Sequence, residues 1–326
     1  MTMAIALESP ADTGMSCAAC GGDEWSPLIT NLPDYLTRED FQIHRCGNCG
    51  LLMTHPLPMG PAIGRYYPKQ YRGNRHAFTG SIRSTLRQRA IESCFPKGFG
   101  GRLLDIGCGD GSFALHMLAR GWEVCATEID PDTVDRLCHA GINAKLSSSA
   151  GNVGFEKSFD AITCWHVMEH LEHPRQTAEW ARTQLNKDGV FQVTVPNVQS
   201  LQAKIFGRHW VHLDVPRHRQ HFSSATLKSL LENAGFKIAR RSNFALEYDW
   251  FGIIQSALNG VCSRHNVLFD KLTHAPVDAG RPVSLGDAIL SYALLPPIAL
   301  ASLPVMLIAA AAGDGATLTL TCKSRR

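Results

Sequence analysis

Apolar runs of strand length recur at 103–106, 123–127, 160–164 and 190–195, and amphipathic stretches separate them. That alternation is the β/α rhythm of a parallel sheet covered on both faces. Beyond the last run, 226–236 spaces its apolar residues as an amphipathic helix does and ends at Gly235. The stretch 288–313 breaks the rhythm: it carries no charged residue and is nearly all Ala, Leu, Ile, Pro and Val. A run of about 20 apolar residues can span a bilayer, but Pro296, Pro297 and Pro304 divide this one into pieces too short for a straight spanning helix. A span is therefore not expected. Core packing, a hydrophobic helical pair covering a site or a homodimer face, and a shallow contact with a membrane surface remain open.

The first run leads into Asp105-Ile106-Gly107-Cys108-Gly109-Asp110-Gly111 and then a helical stretch. In such a turn the glycines remove the Cβ atoms that would hold a ligand off the backbone, and the following helix offers unpaired N–H groups. A dinucleotide-binding loop wants Gly-x-Gly-x-x-Gly, and here the third glycine comes one place early. A carboxylate at the position of Asp105 repels phosphate and suits a ligand with a positive charge or hydroxyls. S-adenosylmethionine has both. Ligands of parallel sheets lie at the carboxyl ends of the strands. Asp105, Glu128 and the 164–166 segment all fall at such ends and are expected to converge on one crevice.

Four segments, 103–113, 123–130, 158–170 and 186–197, occur in the order and with the motifs of a known family. Through them the chain resembles the class I S-adenosylmethionine-dependent methyltransferases, in the branch of small-molecule enzymes that includes the ubiquinone-biosynthesis O-methyltransferases and sugar methyltransferases. The resemblance covers about 101–236 and returns at the extreme C-terminus. It implies an α/β, Rossmann-like sheet, mostly parallel, closed by a terminal antiparallel pair at 237–246 and 316–322, so that 247–313 is a hydrophobic insertion. It also implies that Asp105, Gly107, Cys108, Gly109, Glu128, Ile129, Cys164 and Trp165 bind the cofactor, with Glu128 on the ribose hydroxyls.

At 326 residues, 44% hydrophobic and 19% charged, the chain can bury a full core and carries one main domain plus additions. The expected layout is a zinc-ribbon-like module at 1–55, a linker or lid at 56–98 and the methyltransferase domain at 99–326. A net charge of +3 gives no electrostatic case for a nucleic-acid substrate. Arg83, Arg87 and Arg89 form a local basic patch that reads as a solvated helix face. The N-terminus lacks the order of a secretory signal, which predicts a cytoplasmic protein, peripheral to the inner face of the membrane if the apolar insertion makes a surface contact.

Eleven cysteines in a reducing compartment should be mostly thiols. Cys17-x-x-Cys20 and Cys46-x-x-Cys49 stand about 25 residues apart, somewhat beyond the usual zinc-ribbon separation. Together they can close a tetrahedral, structural Zn2+ site of four thiolates, with His44 not needed as a ligand. The module resembles N-terminal ribbons on some sugar C-methyltransferases and on some ribosomal RNA methyltransferases, and names no substrate. Residues 56–80, with Pro56, Pro58, Pro61, Tyr66, Tyr67 and Tyr71, form either part of a lid over the substrate or an aromatic linker packed on the domain.

Methyl transfer needs a nucleophile in line with the methyl group, so proximity and one general base suffice. Candidates for the chemistry are His166, Glu169 and His170 after the fourth apolar run, and His218 and His221 in Pro216-Arg217-His218-Arg219-Gln220-His221. The His166-x-x-Glu169-His170 spacing matches a zinc-protease pattern, which its place after a sheet strand argues against, and no third ligand is evident. In the ubiquinone enzymes a similar loop is linked to a divalent metal; Glu169 and His170 occupy matching places, and His166 replaces a carboxylate. The expected activity is methylation at oxygen or carbon of a small-molecule, glycan or lipid-linked acceptor. Two rival readings are an RNA methyltransferase that uses its ribbon on RNA, and a non-catalytic, cofactor-binding scaffold.

Overall fold

The computed structural model describes residues 16–58, 60–67, 80–147, 153–156, 158–273 and 283–325. Tyr71 and the rest of 68–79 in the expected lid lie outside them. An antiparallel ribbon comes first, β1 (Trp25–Pro33), β2 (Asp40–Cys46) and β3 (Leu52–His55). Helix α1 (Gly80–Glu92) then precedes the main sheet. Five strands of that sheet run parallel: β4 (Arg102–Ile106), β5 (Glu123–Glu128), β6 (Asn143–Leu146), β7 (Phe159–Trp165) and β8 (Leu185–Pro196). A two-residue strand, β9 (Gln220–His221), pairs with β3 and joins the ribbon instead. The chain closes the main sheet with β10 (Phe236–Ser242) and β11 (Thr317–Ser324), antiparallel to each other and to β8. The resulting order is β10-β11-β8-β7-β4-β5-β6.

Neighbouring residues of a strand point to opposite faces, and both faces of β4 are covered. Leu103 packs among Phe113, Met117, Trp122 and Leu137, while Leu104 packs among Ile162, Phe191, Leu227 and Phe236. A strand buried on both sides reads as an unbroken apolar run, which is why the pattern located it. The pattern did not mark the edge strand β6, where Ala144 alone is buried. The helices between strands are α2 (Ser112–Leu118), α3 (Pro131–His139), α4 (Pro174–Gln184), α5 (Leu201–Phe206) and α6 (Ser224–Asn233). Asp130 and Pro131 start α3, the Asp130 side chain accepting from Thr133 N–H at 3.0 Å. Ser223 and Thr226 close a reciprocal capping box at the start of α6.

The chain runs from β4 outward to β6, then returns on the other side of β4 with β7, so the topological switch point lies between β4 and β7. Asp105 and Thr163 stand side by side across this junction. Cys17, Ala19, Trp25 and Cys46 of the N-terminal module belong to the same buried cluster as Leu227, Leu230 and Leu231 of α6. The module therefore rests on the helix layer of the main sheet, and β9 stitches it there.

Between β10 and β11 come α7 (Leu246–Val261), α8 (Val267–Thr273) and α9 (Leu285–Ala312). The prolines do not divide 288–313: Pro296, Pro297 and Pro304 all lie inside α9. Packing against α7 offsets their cost. Trp250 Nε1–H and the Ser302 hydroxyl both donate to the Ala299 carbonyl, and the first of these bonds ties the stretch between Pro297 and Pro304 to α7. The helical pair is therefore α7 with α9. Core packing accounts for one side of α9 only: Leu290, Leu294, Leu295 and Ile298 pack against Ile254 and Leu258, while 17% of its most apolar stretch is buried.

Candidate active site

The glycine loop leaves β4 with Gly107, Gly109 and Gly111 all at positive φ. At Gly107 a Cβ would come within 2.5 Å of the Val167 side chain, so the loop packs directly on the segment after β7. At Gly109 a Cβ would meet nothing within 4 Å; the backbone there lies open to a ligand. The Gly109 N–H donates to Glu128 Oε2 at 2.7 Å and the Ile129 N–H to Oε1 at 2.8 Å, which fixes the carboxylate at the end of β5. Ile129 is exposed beside it. Asp105 is buried below the loop and accepts from the Thr163 hydroxyl at 2.7 Å. Burial pushes its carboxyl up to about 7, against the Thr163 bond and the charge of Arg87. The donor set, two carboxylates and an open glycine backbone at the switch point, suits a cationic ligand that carries a ribose diol.

Cys164 is a correction. Its side chain is fully buried in the cluster of Leu104 and Phe191, on the sheet face away from Asp105, so it reaches no ligand except through its main chain. Cys108 is likewise buried, with its N–H on the Thr127 carbonyl and its carbonyl taking the Gly111 N–H. The basic patch is a second correction. Arg83 is buried, within 3.7 Å of Asp110, and Arg87 stacks over Trp165 with its guanidinium carbon 4.7 Å from the ring centroid. These two side chains of α1 face the crevice. Their spacing of four residues, one helical turn, is the signal that could have placed them on one inward face.

His166 follows β7 in the left-handed region, φ +55°, a conformation that costs a non-glycine residue about 1 kcal/mol or more and is common at functional sites. Its ring stacks on Tyr248 of α7 at 4.0 Å between centroids. Nδ1 lies 3.5 Å from Glu169 Oε1, and Nε2 is buried without a hydrogen-bond partner. Glu169 is 1% exposed, and neither of its carboxylate oxygens accepts a hydrogen bond. Burial pushes this carboxyl up, and the surrounding rings of His166, His170 and His218 outweigh it, holding the group down to about 2.

His170 Nδ1 lies 2.9 Å from the Arg217 carbonyl, which assigns the proton to that nitrogen; Tyr67 Oη is 3.1 Å away. His218 Nδ1 donates to the His212 carbonyl at 2.8 Å, and its Nε2 comes within 4.0 Å of Glu169. Atoms of Glu169, His170 and His218 able to ligate a metal all lie within 4.8 Å of one another, so the fold brings up a third candidate that the sequence did not show. His221 sits one layer back. The Thr54 hydroxyl donates to the His218 carbonyl at 2.6 Å and so accepts from His221 Nε2 at 3.0 Å, anchoring that ring to β3.

Burial pushes His212 and His221 down to about 3 and His218 to about 4, from an ordinary value of 6.5. Above pH 6.5 both folded and unfolded rings are neutral. As pH falls from 6.5 toward 4 the unfolded chain takes up protons that the buried rings refuse, so stability is lost in that window. Each ring should cost about 1.4 kcal/mol per pH unit there, offset in part by Asp105 and Asp249, whose carboxyls, raised to about 7 and about 6, take up protons in the folded state over the same window. Thermal unfolding followed from pH 7.5 to 5 should show the midpoint falling below 6.5, and His221→Gln should flatten that fall; an unchanged slope would contradict the buried neutral assignment.

Four sulfurs cluster at the N-terminus. Cys17 Sγ is 3.5 Å from Cys49 Sγ and Cys20 Sγ is 3.7 Å from Cys46 Sγ, far beyond a disulfide bond. Four thiolates about 2.3 Å from one Zn2+ in a tetrahedron would stand about 3.8 Å apart. Each pair sits in a tight turn, Gly21 N–H bonding the Cys17 carbonyl and Gly50 N–H the Cys46 carbonyl, so these residues could hold that ion.

Residues 74–240, just over half of the chain, match the family described as a methyltransferase domain. A ubiquinone biosynthesis O-methyltransferase of Xanthomonas axonopodis pv. citri (strain 306) is 27% identical over 161 residues, covering 45% of this chain and 67% of that protein. Among solved structures, an S-adenosylmethionine-dependent methyltransferase from Archaeoglobus fulgidus superposes with a TM-score of 0.44 and 20% identity over 79% of this chain and 98% of that one. The [4+2]-cyclase SpnF superposes with a TM-score of 0.47 and 18% identity, over 74% and 80% of the two chains. The chain belongs to the methyltransferase domain family and is an S-adenosylmethionine-dependent methyltransferase.

Proposed function

We propose that the enzyme methylates an oxygen or carbon of a small-molecule, sugar or lipid-linked acceptor, with His166 as general base and Glu169 as its positioning residue. One observation carries this reading: His166 turns Nδ1 toward a buried carboxylate and leaves Nε2 buried and without a partner at the end of β7. S-adenosylmethionine, when bound, supplies an electrophilic methyl group on a sulfonium. Gly107 and Gly109, with the main chains of Cys108 and Cys164, would give it backbone to lie against. Glu128 would take the ribose hydroxyls and Asp105 the cationic end, while Arg87 and Trp165 border the same space. His166 Nε2 would accept the acceptor's proton as its lone pair is committed to the methyl carbon, and Glu169 would balance the imidazolium charge. A 3.5 Å separation without ligand is consistent with such a dyad, since catalytic hydrogen bonds tighten when substrate seats.

A divalent cation on Glu169, His170 and His218 is a second reading, favoured by the buried carboxylate that accepts no hydrogen bond. Activity abolished by a chelator and restored by Mg2+ would select it. The acceptor class is tested by incubating the enzyme with methyl-labelled S-adenosylmethionine and fractionated cell extract. Label in the small-molecule, glycan or lipid fraction supports the proposal. Label in RNA, or none in any fraction, sinks it in favour of the RNA-modifying or scaffold reading.

The four cysteines we assign to one structural Zn2+. Protein purified without chelator should hold one equivalent by elemental analysis, and Cys46→Ser should lose it and loosen the N-terminal module. A full equivalent retained in Cys46→Ser would contradict the assignment.

A further inference from the structure

Helix α9 leaves most of its apolar surface uncovered. Its buried side chains include Asp287, Ser291 and Ser302, whereas Leu285, Ile289, Leu300, Leu303, Leu307 and Ile308 are exposed. At about 100° per residue the exposed positions cover a continuous arc of roughly 200°, with every residue from 288 to 312 uncharged. The facing helix α7 is mixed: it buries Ile253, Ile254 and Leu258 as well as Gln255, Ser256 and Asn259, and Leu290, Leu294, Leu295 and Ile298 of α9 pack on that apolar cluster. The seam between the helices is thus already an apolar core, and the outer arc of α9 is a second apolar surface that a water-facing helix would not carry.

Both ends of the pair stay on the soluble body. At the start of α9, Asp287 accepts from the Ser263 N–H at 2.9 Å and its hydroxyl at 2.6 Å, and beside that turn Asn259 donates to the His209 carbonyl of the main domain at 3.2 Å; beyond α9 the Asp314 carbonyl takes the Leu201 N–H at 3.0 Å. A helix of about 42 Å held at each end by one domain cannot cross a bilayer and must lie along it. Charge agrees. In the described part of 237–313 no acidic side chain is exposed, while Lys237, Arg240, Arg241 and Lys271 are. Such an edge suits anionic headgroups, and Trp250 and Tyr292, both exposed, are residue types that settle at that depth.

We propose that the α7–α9 pair is a monotopic membrane anchor, the exposed arc of α9 seated in one leaflet of an anionic bilayer. The proposal rests on this surface alone and stands whatever the acceptor. It would hold the site at the membrane, because the other side of α7 carries Tyr248 against His166.

The test is co-flotation of the full chain with phosphatidylcholine vesicles containing about 30% phosphatidylglycerol. Wild type should float with them, and less with phosphatidylcholine alone. L300E/L307E, altered far from the crevice, should lose at least about tenfold in bound fraction while keeping its affinity for S-adenosylmethionine. Wild type left in the soluble fraction would overturn the proposal. So would a stable dimer in light scattering that L300E/L307E dissociates, since a second copy would then be the occupant of this face.

Discussion

Replacing Arg217 with methionine should destabilise the protein by about 3–5 kcal/mol, the cost of leaving a buried charge without its partner. Arg217 has no exposed surface. Its Nη2 donates to Asp34 Oδ1 at 2.7 Å and Nε to Asp214 Oδ1 at 2.7 Å, and the guanidinium lies over the Tyr35 ring. Asp34 is also fully buried and belongs to the N-terminal ribbon, 183 residues away in sequence. The bond therefore ties that module to the segment bearing His218, and the Arg217 carbonyl holds the His170 ring. Urea unfolding should show a much lower midpoint for Arg217→Met. Part of the loss should return in Asp34→Leu/Arg217→Met, which removes the fully buried pair and leaves only the partly exposed Asp214 without its cation. Equal loss in the single and double variants would mean that packing, and not an orphaned carboxylate, sets the cost.

His166→Ala should lower kcat by about 10²–10⁴, the usual contribution of a positioned general base, with little change in affinity for S-adenosylmethionine. Burial keeps the His166 ring below its ordinary range, while the nearby carboxylate of Glu169 acts the other way. The base is therefore neutral and competent at pH 7. Glu169→Gln removes the charge that favours the imidazolium, so kcat should fall and the acidic limb of the kcat/KM profile should move to lower pH. A purely structural Glu169 would not move that limb. An unshifted limb, or a His166→Ala enzyme with wild-type kcat, would contradict the dyad.

Much of this layout was legible in the residues because the relevant forces are local. Fully buried strands print as apolar runs, and a turn that must pass a ligand prints as glycines. The parity of β7 was equally available: Thr163 pairs with Asp105 across the sheet, so Thr163 and Trp165 share the ligand face and Cys164 lies opposite. What could not be read depends on partners distant in sequence. His218 joins Glu169 only because β9 is stitched to β3, and Arg217 reads as a surface charge until Asp34 is known to lie beneath it. Helix α9 misled for a related reason. Proline propensity argues for breaks in an isolated helix, and the contact with α7 overrides it.

We assign the crevice at Asp105 and Glu128 to S-adenosylmethionine. Calorimetric titration of the purified protein with S-adenosylmethionine and, separately, with NADH tests it most directly. Binding of the first alone is expected, weakened about tenfold or more in Asp105→Ala and in Glu128→Ala, as loss of a hydrogen bond to a charged group implies. Binding of NADH, or S-adenosylmethionine binding untouched by both substitutions, would contradict the account.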